Sequence, residues 1–413
     1  MNRPPHLLLF VEDFFPPDQI FGGVRVCVFQ QVLHLSRRWR VTVVAPVHLL
    51  PPMARYAEWR DAARKNAAAR TADFHLPGVR ILRPPYLHVP LLSALTGPLQ
   101  LFLIGLWVRL RHARDARVVH GHRIYPMGLA AVLVAHSSGL PAVVTAHGSD
   151  LHSNAARGPW MDRFWYRWTL RRADRVVAVS RDLLDTARSL GVEEQRLRYI
   201  PNGVDVDSFQ SDDRAAGRHA LGLPAVGRLI VSVGNLLPVK GHGVLIEAFR
   251  RMRERRRDVT LVIAGEGPLQ SDLEAQIRSF GLGEHVRLLG LLPFGRVPDL
   301  LAAADVVALP SMNEGMPLTA LEALAAGRPL VGSAVGGTRE IVEHGRHGLL
   351  VPAGDAEALA AALDEALGRT WDTAALRERV RRYSWTAVVE EQERVYAEAS
   401  LRPARPAAPA PGA

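Results

Sequence analysis

Short apolar runs, rich in Val, Ile and Leu, alternate along the chain with longer stretches of helical periodicity. Strands are predicted at 6–11, 41–45, 79–83, 118–121, 142–146, 175–180, 198–200, 229–234, 260–264, 286–289, 306–309 and 330–333. Intervening stretches such as 243–254 and 271–280 predict helices. Continuous apolar runs separated by helices are typical of parallel strands that are buried on both faces. The predicted class is therefore α/β, with doubly wound sheets.

The strand series occurs twice, which predicts two Rossmann-like domains at 1–205 and 229–383. Polar sequence rich in Gly and Pro separates them, so we expect an interdomain linker at 206–228. A further helix is predicted at 384–400. The Pro- and Ala-rich end, 401–413, predicts a disordered tail.

Charge is distributed unevenly over the 413 residues, whose net charge is +10. Residues 1–200 carry 27 Lys or Arg against 14 Asp or Glu, whereas 201–413 carry 24 against 27. This excess indicates an anionic partner for the first half, either a membrane surface or a nucleic acid. A bias toward arginine codons is the alternative explanation, since Lys65 and Lys240 are the only lysines.

Residues 84–108 contain no Asp, Glu, Lys or Arg, but prolines and Gly97 interrupt them, and the uninterrupted apolar part is too short to span a bilayer. Four arginines follow, at positions 109, 111, 114 and 117. The segment is expected to be a helix covering the first sheet or, alternatively, to lie flat on an anionic bilayer. The single cysteine and the short apolar run in the first ten residues favour a cytoplasmic protein.

Two candidate sites follow strands in the first half. Gly22 and Gly23 precede a helix predicted at 24–35, where glycine lets backbone N–H groups approach a phosphate, although paired glycines also mark plain turns. His147 follows the strand at 142–146 in the run T-A-H-G-S-D. It could donate a hydrogen bond to a sugar hydroxyl, or it could simply cap a loop.

Three loops after strands carry candidates in the second half. Lys240, in G-N-L-L-P-V-K-G, is a compact cation suited to a diphosphate oxygen, unless it is an ordinary surface lysine. Glu266 lies in G-E-G-P, which could cradle a nucleobase. Glu314 and Glu322 flank a helix start near Pro317, in the run P-S-M-N-E-G-M-P-L-T-A-L-E-A. Backbone N–H groups at such a start suit an anion, and carboxylates accept hydrogen bonds from sugar hydroxyls.

Together these motifs resemble glycosyltransferase family 4, whose members are retaining, use nucleotide sugars and have the GT-B fold of two facing Rossmann-like domains with an interdomain cleft. The resemblance covers nearly all of residues 5–400, and its most specific part is the E-x7-E pair. It implies that the final helix crosses back to the first domain and that the first domain binds the acceptor. For the donor, it implies contacts from Gly22, Gly23, Asn235, Lys240, Glu266, Met316, Pro317, Leu318, Thr319 and Glu322.

Within that set, the resemblance implies that Lys240 binds the diphosphate and that Glu322 holds the ribose. It assigns His147 and Glu314 to the catalytic site beside the transferred sugar. Many relatives have arginine where this chain has Asn235, so a phosphate contact is weakened or supplied elsewhere. Asn-bearing versions look similar to transferases of bacterial surface or extracellular polysaccharide assembly.

The implied activity is transfer from a UDP- or GDP-sugar to a lipid-linked or polysaccharide acceptor, at the inner face of the cell membrane. No metal or other cofactor is expected, and Asp205 and Asp207, although they match D-x-D, are assigned to the linker. A nucleotide-sugar epimerase and a non-catalytic nucleotide-sugar-binding subunit are the alternatives. A nucleic-acid-binding protein is disfavoured because no recognition motif is present.

Overall fold

The computed structural model describes residues 4–15, 23–49, 74–87, 93–148, 151 and 160–401. Gly22 and the predicted tail beyond residue 401 lie outside these residues. The chain divides into two compact units. Unit 1 comprises Met1–Pro16, Val28–Pro201 and Val388–Ala413, and unit 2 comprises Pro17–Cys27 and Asn202–Ala387.

Unit 1 is built on parallel strands that are connected through helices. Its elements in chain order are β1 (His6–Phe10), α1 (Gly23–Leu35), β2 (Arg40–Val44), β3 (Val47–Leu49), β4 (Val79–Leu82), β5 (Pro85–Leu87), α2 (Ser93–His112), β6 (Ala116–His122), α3 (Leu129–Ser137), β7 (Ala142–Ala146), α4 (Trp160–Arg172), β8 (Arg175–Ala178), α5 (Arg181–Ser189) and β9 (Leu197–Tyr199). Helix α1 begins in the part assigned to unit 2 and continues into unit 1.

Within the described residues, the main sheet of unit 1 has the order β4-β2-β1-β6-β7-β8-β9, and its pairings are parallel. Every residue of β1 and β7 is buried, as a strand covered on both faces requires. After β1 the chain adds β2 and then β4 on one side of it. After β6 the chain adds β7, β8 and β9 on the other side. The switch point between β1 and β6 is where open α/β sheets bind ligands, at the carboxyl ends of the strands.

Unit 2 repeats the same construction. Its elements are α6 (Arg214–Ala220), β10 (Arg228–Val233), α7 (His242–Arg253), β11 (Val259–Ala264), α8 (Gln270–Ser279), β12 (Val286–Gly290), α9 (Val297–Ala303), β13 (Val306–Leu309), α10 (Leu318–Ala325), β14 (Leu330–Ser333), α11 (Thr338–Ile341), β15 (Gly348–Val351), α12 (Ala356–Gly368) and α13 (Thr373–Val380). The sheet order is β12-β11-β10-β13-β14-β15, all parallel, so the switch point lies between β10 and β13.

Residues 206–228, predicted as a linker, are instead an integral part of unit 2. Helix α6 packs against α9, and the close approach requires Gly217, where a Cβ would overlap the Asp299 carbonyl oxygen. Asp305 accepts hydrogen bonds from three arginines of this region: Arg214, Arg218 and Arg228. The charged residues of 206–228 therefore serve ion pairing within unit 2, whereas their polar composition had suggested an exposed linker.

The last helix, α14 (Trp385–Ser400), has most of its length in unit 1. Glu398 accepts hydrogen bonds from Arg175 and Arg198 of the sheet edge, at 3.3 and 2.8 Å from their Nε atoms. The Tyr396 hydroxyl lies 2.8 Å from Nδ1 of His120, in the centre of the unit 1 sheet. Apolar burial and these polar contacts together hold the helix on unit 1.

Replacing Tyr396 with phenylalanine should destabilise unit 1 by about 1–3 kcal/mol, because the buried His120 Nδ1 would lose its partner while the ring packing is retained. Denaturant unfolding of the variant and the parent protein measures the difference. An unfolding free energy within ~0.5 kcal/mol of the parent value would show that this hydrogen bond contributes nothing net.

Three described strands were not predicted: β3, β5 and β15. The first two are three residues long and pair only with each other, so neither produces a recognisable apolar run. β15 begins at Gly348 and follows a charged turn, which hides it in the sequence. None of the described helices is long and apolar enough to cross a membrane.

Candidate functional site

The switch point of unit 2 brings together two of the predicted residues. Lys240 comes after β10 and Glu314 comes after β13, and these two strands are neighbours in the sheet. Lys240 Nζ donates a hydrogen bond to Glu314 Oε1 over 2.6 Å. The lysine side chain is 27% exposed and the glutamate 8%, so the lysine is the more accessible member of the pair.

Ser311 completes the anchoring of Glu314, because its hydroxyl donates to the same carboxylate oxygen, Oε1, at 2.6 Å. Ser311 is fully buried. A carboxylate held by two donors is fixed in position, and its negative charge is balanced by Lys240. Ser311 was not predicted as a site residue, although its place three residues before Glu314 in the same loop was an available signal.

The start of α10 lies in the loop that carries Glu314. Pro317 is the N-cap residue, and no side chain of the described residues caps the first turn. The first N–H groups of a helix have no intrahelical partner, and the helix dipole makes this end attractive to an anion. Thr319 does not face outward as a free donor, since its hydroxyl donates to the Val233 carbonyl oxygen at 3.2 Å.

Met316 is buried, and its carbonyl oxygen accepts a hydrogen bond from Asn202 Nδ2 at 2.8 Å. The Asn202 Oδ1 atom in turn accepts a hydrogen bond from Cys27 Sγ, also at 2.8 Å. Asn202 belongs to the P-N-G-V-D turn and holds the backbone just before α10. Its contact with residue 316 spans more than a hundred positions of sequence, so no local pattern could have revealed it.

Glycines allow the loops of this site to touch one another. A Cβ at Gly336 would overlap the Glu314 carbonyl oxygen, and a Cβ at Gly241 would overlap that of Pro310. A Cβ at Gly265 would likewise overlap the carbonyl oxygen of Gly234. The φ angles of Gly336 and Gly241 are +41° and +68°, in the left-handed region that favours glycine. The positions of Lys240 and Glu314 therefore depend on these close backbone contacts.

Asn235 and Glu266 lie on neighbouring loops of the same edge. The Glu266 carbonyl oxygen accepts a hydrogen bond from the N–H of Leu236 at 2.9 Å. Both side chains are exposed, and within the described residues neither makes a side-chain hydrogen bond. Their predicted contacts with the donor remain predictions.

Glu322 lies one turn into α10 and is buried. Burial raises the pKa of its carboxyl group from 4.5 to about 7. No hydrogen-bond partner for this carboxyl occurs in the part of the chain that the structure describes. A buried carboxyl without a partner has unused capacity to accept hydrogen bonds, which suits a vicinal diol.

Replacing Glu322 with glutamine should change how stability depends on pH. Between pH 4.5 and about 7 the unfolded chain loses this proton and the folded chain keeps it, so stability falls as pH rises. At 1.36 kcal/mol per pH unit, the loss amounts to about 3 kcal/mol and is complete above pH 7. The variant lacks this loss. Unfolding free energies of the parent protein and of Glu322→Gln, measured at pH 4.5 and pH 8, test this prediction. The same change with pH in both proteins would contradict it.

His147 lies in unit 1, at the carboxyl end of β7. It is buried, and its Nε2 atom is 2.9 Å from Nδ1 of His122. Burial, with smaller contributions from the charges of Arg123 and His120, lowers the pKa of His147 to about 3. The imidazole is therefore neutral at pH 7. His122 was not predicted, although the H-x-H run at the end of a predicted strand was a usable signal.

The switch point of unit 1 carries an ion pair of its own. Glu12 follows β1, Arg123 follows β6, and Arg123 Nη1 lies 2.6 Å from Glu12 Oε2. Arg123 has a φ of +68°, which is uncommon for a residue with a side chain and is often found at functional sites. Gly23 is the first residue of α1 and has open space around it, while Gly22 lies outside the described residues.

Asp205 and Asp207, the D-x-D residues, make local contacts. Asp205 accepts a hydrogen bond from the Ser208 hydroxyl at 2.6 Å, and Asp207 accepts one from Gln210 at 3.1 Å. Among the described residues there is no group of three or more His, Cys, Asp or Glu side chains that could hold a metal ion. The expectation that no metal takes part stays a prediction.

Each of the two units has a parallel sheet with a switch point, where open α/β sheets bind ligands. The protein is therefore a two-domain α/β protein. Residues 21–208 match the model of Glycosyltransferase Family 4, and residues 213–384 match that of Glycosyl transferases group 1. The two matches lie end to end over most of the chain. Both models describe glycosyltransferases. The chain therefore belongs to the glycosyltransferases, as the motifs predicted.

Curated relatives resemble about half of this chain. A D-inositol 3-phosphate glycosyltransferase of Xylanimonas cellulosilytica is 36% identical over 246 residues, which is 56% of this chain and 59% of the relative. A phosphatidyl-myo-inositol mannosyltransferase of Mycobacterium leprae is 38% identical over 205 residues, or 48% and 52%. The chain thus spans only somewhat more than half the length of these relatives.

Solved structures show the same fold over nearly the whole chain. Anabaena Alr3699/HepE in complex with UDP has a TM-score of 0.71 at 20% identity, covering 95% of this chain and all of that one. Sucrose-phosphate synthase from Thermosynechococcus elongatus has a TM-score of 0.74 at 22% identity, covering 95% and 98%. The predicted class, α/β with parallel sheets in two domains, is confirmed.

Proposed function

We propose that the chain transfers a sugar from a UDP- or GDP-sugar to an acceptor hydroxyl, with retention of the anomeric configuration. The observation that carries the proposal is the Lys240–Glu314 pair at the unit 2 switch point, beside the uncapped start of α10. A diphosphate needs a cation and N–H donors, and a sugar needs acceptors for its hydroxyls. Both kinds of group occur at this one edge of the sheet.

In the proposed reaction the departing nucleoside diphosphate gains negative charge as the bond to the anomeric carbon breaks. Lys240 and the N–H groups at the start of α10 are already in position to stabilise that charge, so little reorganisation is needed during the step. Glu314 holds a sugar hydroxyl, and the ionised form of Glu322 accepts hydrogen bonds from the ribose diol. No carboxylate is assigned as a nucleophile, so we favour direct attack by the acceptor hydroxyl on the same face as the leaving group over a covalent intermediate.

His147 is proposed to lie beside the transferred sugar. Because its imidazole is neutral at pH 7, it contributes one N–H donor and no charge. His122, 2.9 Å away, fixes the ring orientation and selects which nitrogen carries the hydrogen. A neutral donor can stabilise a hydroxyl without repelling the positive charge that develops at an anomeric carbon.

We infer a lipid-linked or polysaccharide acceptor, used in cell-surface or extracellular polysaccharide biosynthesis at the cytoplasmic face of a membrane. The excess of positive charge in the first half supports an anionic surface nearby. The names of relatives specify inositol phosphate and phosphatidyl-inositol acceptors. Phosphorylated polyols therefore belong in the acceptor panel beside oligosaccharide lipids.

A thermal-shift screen of nucleotide sugars tests the proposal. A donor at a hundred times its dissociation constant should stabilise the protein by about 2.7 kcal/mol. The selected donor is then incubated with acceptors, and release of nucleoside diphosphate is measured. Binding without release for any acceptor would favour a non-catalytic subunit, isomerised donor without acceptor would favour an epimerase, and no shift with any nucleotide sugar would contradict the proposal.

A further inference from the structure

The outer face of α2 is apolar although it is exposed. Leu101 and Val108 are buried beneath the helix, and Gly105 packs so closely that a Cβ would contact Phe10. On the opposite side, large apolar side chains recur at helical spacing and are 48–60% exposed: Leu99, Leu103, Trp107 and Leu110. A surface helix normally turns polar residues outward, so this stripe indicates a partner.

Helix α4 presents a second exposed face that combines aromatic and basic side chains. Trp160 is 71% exposed and Phe164 is 52% exposed. Arg163, Arg167 and Arg171 occur at the same helical spacing and are also exposed. Arginine and tryptophan are suited to the boundary between water and lipid, because each combines an apolar body with a polar or charged end.

The two helices lie on the same side of the unit 1 sheet. Helix α3 connects β6 and β7 and contacts both α2 and α4, so they flank it. We call their exposed sides together the α2–α4 face. Among the described residues, six of the twelve large apolar side chains that are strongly exposed belong to this face.

Positive charge borders the apolar stripe. Exposed Arg111 and Arg114 follow it directly, and residues 84–114 contain no acidic side chain. The next acid, Asp115, is engaged by Arg40 and His6. Asp162 is the single acid within α4. The α2–α4 face is therefore apolar at its centre and positively charged around it.

We propose that the α2–α4 face docks unit 1 on an anionic lipid bilayer, with the apolar side chains inserted at the headgroup level and the arginines at the phosphates. Charge complementarity favours this occupant over a second copy of the chain, because a symmetric dimer through this face would bring its arginines together. The inference rests on the proposed function only in that docking would bring unit 1 to a lipid-borne acceptor.

Vesicle co-sedimentation with the full chain tests the proposal, using equal parts of phosphatidylglycerol and phosphatidylcholine, and phosphatidylcholine alone. The parent protein should bind the anionic vesicles at low salt and be released as salt screens the charges. Leu103→Gln with Trp107→Gln, and separately Arg163→Gln with Arg167→Gln, should each lower the partition coefficient about tenfold. These side chains are exposed, so folding should be retained.

The matched controls lie in unit 2, where Val226, Arg255 and Arg257 are exposed. Val226→Gln, and Arg255→Gln with Arg257→Gln, should bind vesicles as the parent does. Equal vesicle binding by all variants would overturn the proposal, as would a dimer that dissociates in the α2–α4 variants. Thermal shifts of the same proteins with nucleotide sugars separate membrane docking from donor binding. If no nucleotide sugar stabilises the protein, the proposed function fails but the vesicle result still stands.

Discussion

Replacing Lys240 with methionine should weaken binding of the nucleotide sugar about a hundredfold. Methionine keeps much of the length of the side chain but removes the charge that balances Glu314. The remaining carboxylate, held by Ser311, would then face the diphosphate with its charge uncompensated. Removing one member of a buried charged pair costs about 2–5 kcal/mol; this pair is only partly buried, so we expect a loss near the lower end, and a hundredfold change in affinity is about 2.7 kcal/mol. Isothermal titration of the donor found by the thermal-shift screen measures it.

The double variant Lys240→Met with Glu314→Gln separates two effects: the lost attraction between Lys240 and the diphosphate, and the new repulsion between the unpaired Glu314 carboxylate and the diphosphate. It should recover part of the donor affinity, because no unpaired carboxylate remains, but it should not recover transfer. Arg255→Met, which removes an exposed unit 2 cation from the surface, is the control and should bind as the parent does. An unchanged dissociation constant in Lys240→Met would remove the lysine from the site.

Replacing Gly336 with alanine should abolish donor binding and destabilise unit 2 by about 3 kcal/mol or more. The new Cβ would overlap the carbonyl oxygen of Glu314, so the loop that carries this carboxylate must move. The residue also has a φ of +41°, which alanine adopts only with strain. Gly336 is not expected to touch the donor, so the effect would act through the position of Glu314. Titration of the donor and denaturant unfolding measure the two effects.

Gly283→Ala is the matched control, since a Cβ at that position meets nothing within 4 Å and its φ is not in the left-handed region. This variant should bind the donor normally and keep or slightly gain stability. A Gly336→Ala protein that binds the donor as tightly as Gly283→Ala would show that the loop contacts do not position the site.

Much of the sheet architecture, and the positions of Lys240 and Glu314 after neighbouring strands, could be predicted because their signals are local. Buried parallel strands are continuous apolar runs, and their carboxyl ends mark the edge where a ligand binds. Lys240 and Glu314 each follow such a run, and α10 begins where Pro317 indicated. Their direct ion pair was not expected, since the motifs suggested separate roles for the two residues.

The remaining features depend on contacts that are distant in sequence. Asn202 reaches the backbone of Met316, and Gly336 supports Glu314 from another loop. The predicted linker was wrong because its charged residues pair with Asp305, which lies in a later strand connection. The exposed faces of α2 and α4 likewise become one surface only when α3 is seen to lie between them.

We propose that the switch point of unit 2 binds the diphosphate of a nucleotide sugar. A crystal structure with the donor selected by the thermal-shift screen tests it most directly. We expect a phosphate oxygen within hydrogen-bond distance of Lys240 Nζ, the start of α10 directed at the diphosphate, and a ribose hydroxyl at Glu322. A donor bound elsewhere, with the Lys240–Glu314 pair undisturbed and unoccupied, would contradict it.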